Sequence, residues 1–233
     1  MKPAIFLYSF FTAAFFHLIG IYFNQVEIMA ISKPLLMPLL GLFAFLTSQN
    51  KRSKAIKFIL VSLVFSWLGD VFLMFLEKGD LFFMLGLVSF LIAHVLYIVA
   101  FISETKDKPG KSALITRPFA AFPFVASYGL LLLILIPNLG DMLIPVIVYA
   151  TVITFMVLMS LNRYGKVAHN SFVMVLFGAA LFMVSDSIIA LNKFYKPFDW
   201  ARLGIMSTYM LGQFLIVKGC LSISDVNKKA NKS

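Results

Sequence analysis

The stretch SWLGDVFLMF, residues 66–75, sets a single carboxylate inside an apolar run, and no residue within four positions of Asp70 carries another charge. The rest of the chain decides what such a run is. Of 233 residues, 61% are hydrophobic and 13% charged, and the mean hydropathy is +0.95. A soluble domain carries about a quarter of its residues as Asp, Glu, Lys and Arg. One water-facing core cannot absorb this much apolar surface, so the expected solvent is a bilayer.

Eight apolar segments have the length of about 20 residues that crosses a hydrocarbon core. They cover residues 4–24, 33–49, 55–76, 81–102, 118–137, 142–161, 171–193 and 203–222. The first follows Lys2 as a signal peptide would, but no small-x-small site ends it, so a retained helix is expected. The predicted fold is an all-α integral membrane protein, a bundle of eight transmembrane helices in one domain over residues 1–222, with a short polar cytoplasmic tail at 223–233. The polar connection SETKDKPGKSALITRP, residues 103–118, carries a Pro109-Gly110 turn and divides the chain into possible four-helix repeats, 1–102 and 118–222.

The net charge of +10 resembles a nucleic-acid signature until it is placed on this topology. With eight helices both termini share one side. Fifteen of the twenty Lys and Arg fall there, Lys2 and groups around Lys51–Lys57, Lys106–Arg117, Arg163–Lys166 and Lys218–Lys232. The other five are Lys33, Lys78, Lys193, Lys196 and Arg202. By the positive-inside rule both termini are expected in the cytoplasm of a multi-pass cell-membrane protein. Topology then accounts for the basic excess, with membrane lipid as a partner and no nucleic acid required. The single cysteine, Cys220, excludes an internal disulfide and a multi-cysteine metal site. No G-x-S-x-G, H-E-x-x-H or Gly-rich phosphate loop occurs, which argues against the usual serine hydrolase, zinc hydrolase or nucleotide site. No metal or cofactor is expected.

Of seven Asp and three Glu, only Asp70 and Asp186 lie well inside apolar segments. An ionised Asp at mid-bilayer costs about 3 kcal/mol on insertion scales, so such residues face a protein interior and usually have a task. Each lies seven residues before a polar helix end, at Glu77 and Lys193, or about 10 Å at 1.5 Å per residue. Ser62, Ser66 and Asp70 recur every four residues and form one polar stripe. Tyr209 and Gln213 are one turn apart in the last segment, about 10–15 Å from its outer end. Lys33 is read as opening the second segment, with Pro34 at a helix-start position. His94 lies deeper, on a less bulky face of the fourth segment. The candidate catalytic residues are Asp70 and Asp186, and the candidate binding residues are Lys33, Ser66, His94, Tyr209 and Gln213. Two buried carboxylates suit acid–base cleavage of an acid-labile lipid ether. They suit a proton- or cation-coupled transporter of small molecules or lipids equally well.

The blocks SKPLLMPLL (32–40), SWLGDVFLM (66–74), FMLGLVSFLIAHVLYIVAF (83–101), GAALFMVSDSIIALNKF (178–194) and TYMLGQFLIVKG (208–219) together carry a resemblance to the YhhN family of membrane proteins. The resemblance implies an eight-helix fold and hydrolysis of the vinyl-ether bond of lysoplasmalogens. It also places the two family aspartates at Asp70 and Asp186. The implied substrate is a lysoplasmalogen-like lysophospholipid, with fatty aldehyde and a glycerophospho-alcohol as products.

Overall fold

The computed structural model describes residues 2–49, 53–106, 108–109 and 111–230, except for the side chains of 223–230. Lys51, Arg52 and Lys232 of the charge distribution, Gly110 of the expected turn and the last three residues of the expected tail lie outside the described residues.

All regular elements among the described residues are helical. They are α1 Pro3–Tyr22, α2 Val26–Ser48, α3 Lys54–Leu73, α4 Asp80–Thr105, the one-turn α5 Ala113–Thr116, α6 Phe122–Leu135, α7 Leu143–Leu161, α8 His169–Phe194 and α9 Ala201–Ala230. Among the described residues eight helical stretches are long and apolar enough to span a bilayer: every helix but α5, with α6 extended by 3-10 turns to Pro118–Asn138. The chain is an all-α, multi-pass membrane protein.

Three boundaries differ from the sequence expectation. α2 begins at Val26, so Lys33 lies seven residues inside it, about 10 Å from its start, and does not open it. α3 stops at Leu73, after which the chain passes through a 3-10 turn, Leu76–Lys78, to Gly79 at φ 132°. α9 continues through Ala230, so residues 223–230 of the expected tail prolong the last helix.

The chain divides into two compact units, Met1–Ala100 and Phe101–Ser233. The division falls inside α4, whose last turn belongs with the second unit.

In the first unit α1 and α2 are joined by only three residues. Asn24 takes φ 52° in this turn, a left-handed conformation that asparagine tolerates better than most residues. α2 holds two prolines, Pro34 and Pro38, in its interior. Proline has no N–H, so Pro38 leaves the carbonyl of Pro34, four residues earlier, without its helical donor. The indole Nε1–H of Trp67 on α3 donates to that oxygen at 2.9 Å. An unsatisfied carbonyl in hydrocarbon costs several kcal/mol, and this bond removes the cost while fastening α2 to α3. The buried face of α3 carries Ser62, Ser66, Gly69 and Asp70, whereas Val61 and Val64 are exposed. The hydroxyls and carboxyl group within the span point inward, as lipid demands. A Cβ on Gly69 would lie 2.6 Å from the Phe90 ring, and one on Gly86 would lie 2.7 Å from Leu73, so α3 and α4 meet at these two glycines.

In the second unit α8 and α9 pack antiparallel along most of their length. Gly178 faces Gly212, Ser171 faces Gly219, Phe182 faces Tyr209, and Ser185 donates from Oγ to the carbonyl of Ile205 at 3.1 Å. A Cβ on Gly178 would sit 2.7 Å from the Gly212 carbonyl oxygen, and one on Gly212 would sit 2.8 Å from that of Gly178. Small residues at such crossings bring backbones together and gain dispersion energy, which is what drives helix association where both solvent and side chain are apolar. Leu135, Leu139 and Val146 form a small core at one end, closed by Ala190, Leu191 and Phe194 of α8.

At the other end of this unit Arg163 is fully buried. Its Nε and Nη2 both lie 2.9 Å from Oε2 of Glu104. It also donates to the carbonyl and hydroxyl of Ser171 at 3.2 and 2.9 Å, and its guanidinium lies over the Phe101 ring. Ser171 in turn donates to the Gly219 carbonyl at 2.7 Å. One guanidinium thus ties together the end of α4, the segment after α7, the start of α8 and α9. The linker is also held, because Asn162 Oδ1 accepts from the Ser112 hydroxyl at 2.5 Å and from the Ala113 N–H at 3.0 Å.

Two stability predictions follow from this packing. Gly212→Val should cost about 1–3 kcal/mol, the usual effect of overpacking, seen as a lower thermal midpoint in detergent. Gly129→Ala, where nothing lies within 4 Å of the new Cβ, should leave the midpoint unchanged or raised. Arg163→Met should cost about 3–5 kcal/mol by stranding Glu104 as a buried charge, and adding Glu104→Gln should recover part of the loss.

Candidate functional site

Asp70 is 3% exposed, three residues before the end of α3. Its Oδ1 lies 3.8 Å from Nζ of Lys33, whose side chain retains 16% exposure. The pairing follows from the position of Lys33 inside α2. The Trp67–Pro34 bond sits one residue after Lys33 and one turn before Asp70, so it sets the register that brings ammonium to carboxylate. Ser66, fully buried, lies one turn before Asp70 on the same face. α4 closes against this level through Gly69 and Gly86. His94 and Tyr97 are fully buried two to three turns further along α4, and Ser89 donates to the Leu85 carbonyl at 2.8 Å. The first unit therefore joins Lys33 to Asp70, and it carries Ser66 and His94 on buried faces of α3 and α4.

α1 and α2 also enclose a cleft of about 720 Å³, lined mainly by Ile5, Tyr8, Phe16, Ile28, Leu35 and Leu39. Ser32 on its wall meets Nδ1 of His17 at 2.8 Å and donates to the Ile28 carbonyl at 2.6 Å. His17 thus serves a local hydrogen bond.

Asp186 lies in the second unit, on the buried face of α8, eight residues before its end, or about 12 Å. Its Oδ2 accepts a hydrogen bond from the Tyr149 hydroxyl at 2.6 Å. The hydroxyls flanking it are engaged elsewhere: Ser185 with the Ile205 carbonyl and Ser187 with that of Met183 at 2.8 Å. Tyr209 is buried with its ring edge-on to Phe182, centroids 5.3 Å apart, one turn before Asp186. Gln213 is fully buried beside Gly212 at the α8–α9 crossing. Tyr209 thus packs on α8, whereas the partner of Asp186 comes from α7.

Sequence reasoning missed four side chains that make key contacts. Tyr149 had a usable signal: it lies six residues, about 9 Å, from the start of α7, which runs antiparallel to α8 and so reaches the level of Asp186. Trp67 had a weaker one, since prolines four apart free a carbonyl that some donor must meet. Arg163 and Glu104 had none, being 59 residues apart and each at a segment end where charge is ordinary. Among the described residues no three His, Cys, Asp or Glu side chains gather as a metal site would require.

Eight helical stretches of membrane-spanning length among the described residues, with a buried aspartate on each of α3 and α8, define a multi-pass membrane protein. The chain belongs to the YhhN family, whose model matches residues 28–220. Lysoplasmalogenase TMEM86A of Bos taurus is 37% identical over 162 residues, covering 68% of this chain and 62% of the bovine protein. That match therefore spans less than two thirds of the relative's length. Lysoplasmalogenase TMEM86B of Sus scrofa is 33% identical over 220 residues, covering 94% of this chain and 86% of its own. Lysoplasmalogenase TMEM86B of Homo sapiens is 31% identical over 185 residues, covering 79% and 73%. No solved structure matches the chain.

The ion pair yields a stability prediction. Lys33→Met leaves the Asp70 carboxylate without this counter-ion. Breaking a fully buried pair costs about 3–5 kcal/mol, and the residual exposure of Lys33 reduces this to about 2 kcal/mol. The double variant Lys33→Met/Asp70→Asn should be more stable than Lys33→Met alone, as measured by thermal unfolding in detergent.

Proposed function

We propose that this protein is a lipid ether hydrolase of the cell membrane, with both termini cytoplasmic, that cleaves the vinyl-ether bond of a lysoplasmalogen. The observation that carries this is the likeness, over 94% of the chain, to a protein named a lysoplasmalogenase. Support also comes from the two aspartates, each on the buried face of a membrane-spanning helix.

The chemistry uses the chain's own carboxyl groups and one water. A general acid protonates the β-carbon of the vinyl ether and leaves an oxocarbenium ion. A carboxylate stabilises that cation and takes a proton from the water that adds to it. The resulting hemiacetal collapses to a fatty aldehyde and a glycerophospho-alcohol, so one water is consumed and one carbon–oxygen bond broken. Asp70 and Asp186 divide these roles. Lys33 serves the headgroup phosphate in addition to Asp70. Ser66, His94, Tyr209 and Gln213 supply hydrogen bonds that orient the ether and the water.

The test is aldehyde release from lysoplasmalogen by the purified protein in detergent, followed by mass spectrometry. Wild type should release aldehyde. Asp70→Asn and Asp186→Asn should each lower kcat by at least about 100-fold, the lower range for loss of an acid–base group, with the protein still folded at the assay temperature. A folded wild type that releases no aldehyde, or an Asn variant with near-normal turnover, overturns the assignment.

A further inference from the structure

We propose that Tyr149 is a positioning residue for the Asp186 carboxyl group; this rests on the hydrolase function proposed above. The phenol of Tyr149 donates to Oδ2 of Asp186 at 2.6 Å, from a different helix. The bond occupies one lone pair of Oδ2 and ties the carboxyl group to α7. The contact also limits rotation of the carboxyl group about its last bond, a torsion that is otherwise broad.

The hydroxyls of the two serines that flank Asp186 are engaged elsewhere. Ser185 and Ser187 both donate to backbone carbonyls. The ring of Tyr209 packs on Phe182, a turn away from Asp186 along α8. Tyr149 is half-buried, between Ala150 on the buried face of α7 and Val148, which is exposed. Its hydroxyl is thus directed inward from a helix that also borders lipid. A reacting carboxyl group needs its orientation held, and the 2.6 Å bond from Tyr149 supplies such a hold. Misplacing a reacting group by about 1 Å can cost about 100-fold in rate.

The experiment is steady-state kinetics of Tyr149→Phe, which deletes only the hydroxyl, with lysoplasmalogen as the probe. Tyr128→Phe serves as control, since Tyr128 meets Thr151 of the same helix at 3.1 Å but has no part in the site. Tyr149→Phe should lower kcat by about 10- to 100-fold, with KM within twofold and the thermal midpoint retained, while Tyr128→Phe remains at wild-type activity. Wild-type kcat in Tyr149→Phe, alongside an inactive Asp186→Asn, overturns the role of Tyr149 and leaves the hydrolase intact. Equal losses in Tyr149→Phe and Tyr128→Phe, or a loss that follows a fallen midpoint, also overturn it by marking a packing effect. Full activity in Asp186→Asn would instead overturn the hydrolase mechanism itself.

Discussion

In hydrocarbon a polar group has no water to fall back on, so each charge and each carbonyl released inside a membrane helix must find its partner within the protein. The architecture of this chain follows from that constraint. Pro38 releases the carbonyl of Pro34, and the Trp67 indole takes it. Asp70 on α3 sits opposite Lys33 on α2, Glu104 is clasped by Arg163, and Asp186 accepts from Tyr149. Each of these contacts joins separate segments of the chain. Apolar side chains cannot do the same with comparable specificity, because lipid tails compete for them on nearly equal terms.

The same constraint separates two kinds of buried charge. Arg163 and Glu104 are joined by several short bonds and capped by Ser171, a closed network in which the guanidinium has a partner on each face. Such a network holds helix ends together. Asp70 meets an ammonium 3.8 Å away and Asp186 accepts from a phenol, each on a neighbouring helix.

Much of the candidate site was legible in the sequence because a membrane filters composition so strictly. Asp70 and Asp186 stand out as the two acids well inside apolar runs, and the Ser62–Ser66–Asp70 spacing places all three on the buried face of α3. Lys33 was legible as a residue but not as a partner. Pro34 looks like a helix start, whereas in α2 the helix continues through both prolines because Trp67 compensates for one of them. The end of the helix that carries Asp70 also differs: α3 ends at Leu73, and a 3-10 turn, not α-helix, carries the chain to Glu77 and Lys78.

By itself the sequence determined the solvent, the number of spans and the identity of the two aspartates well inside them. These depend on hydropathy and on the 3.6-residue period, which are properties of each segment alone. Tertiary structure alone decided which side chain meets each acid. Tyr149 is 37 residues from Asp186, and Lys33 is likewise 37 from Asp70. A contact at that separation depends on how one helix is rotated and shifted against another. That rotation is set by glycine contacts such as Gly178 with Gly212 and by the carbonyl that a proline leaves open, and no single segment encodes either.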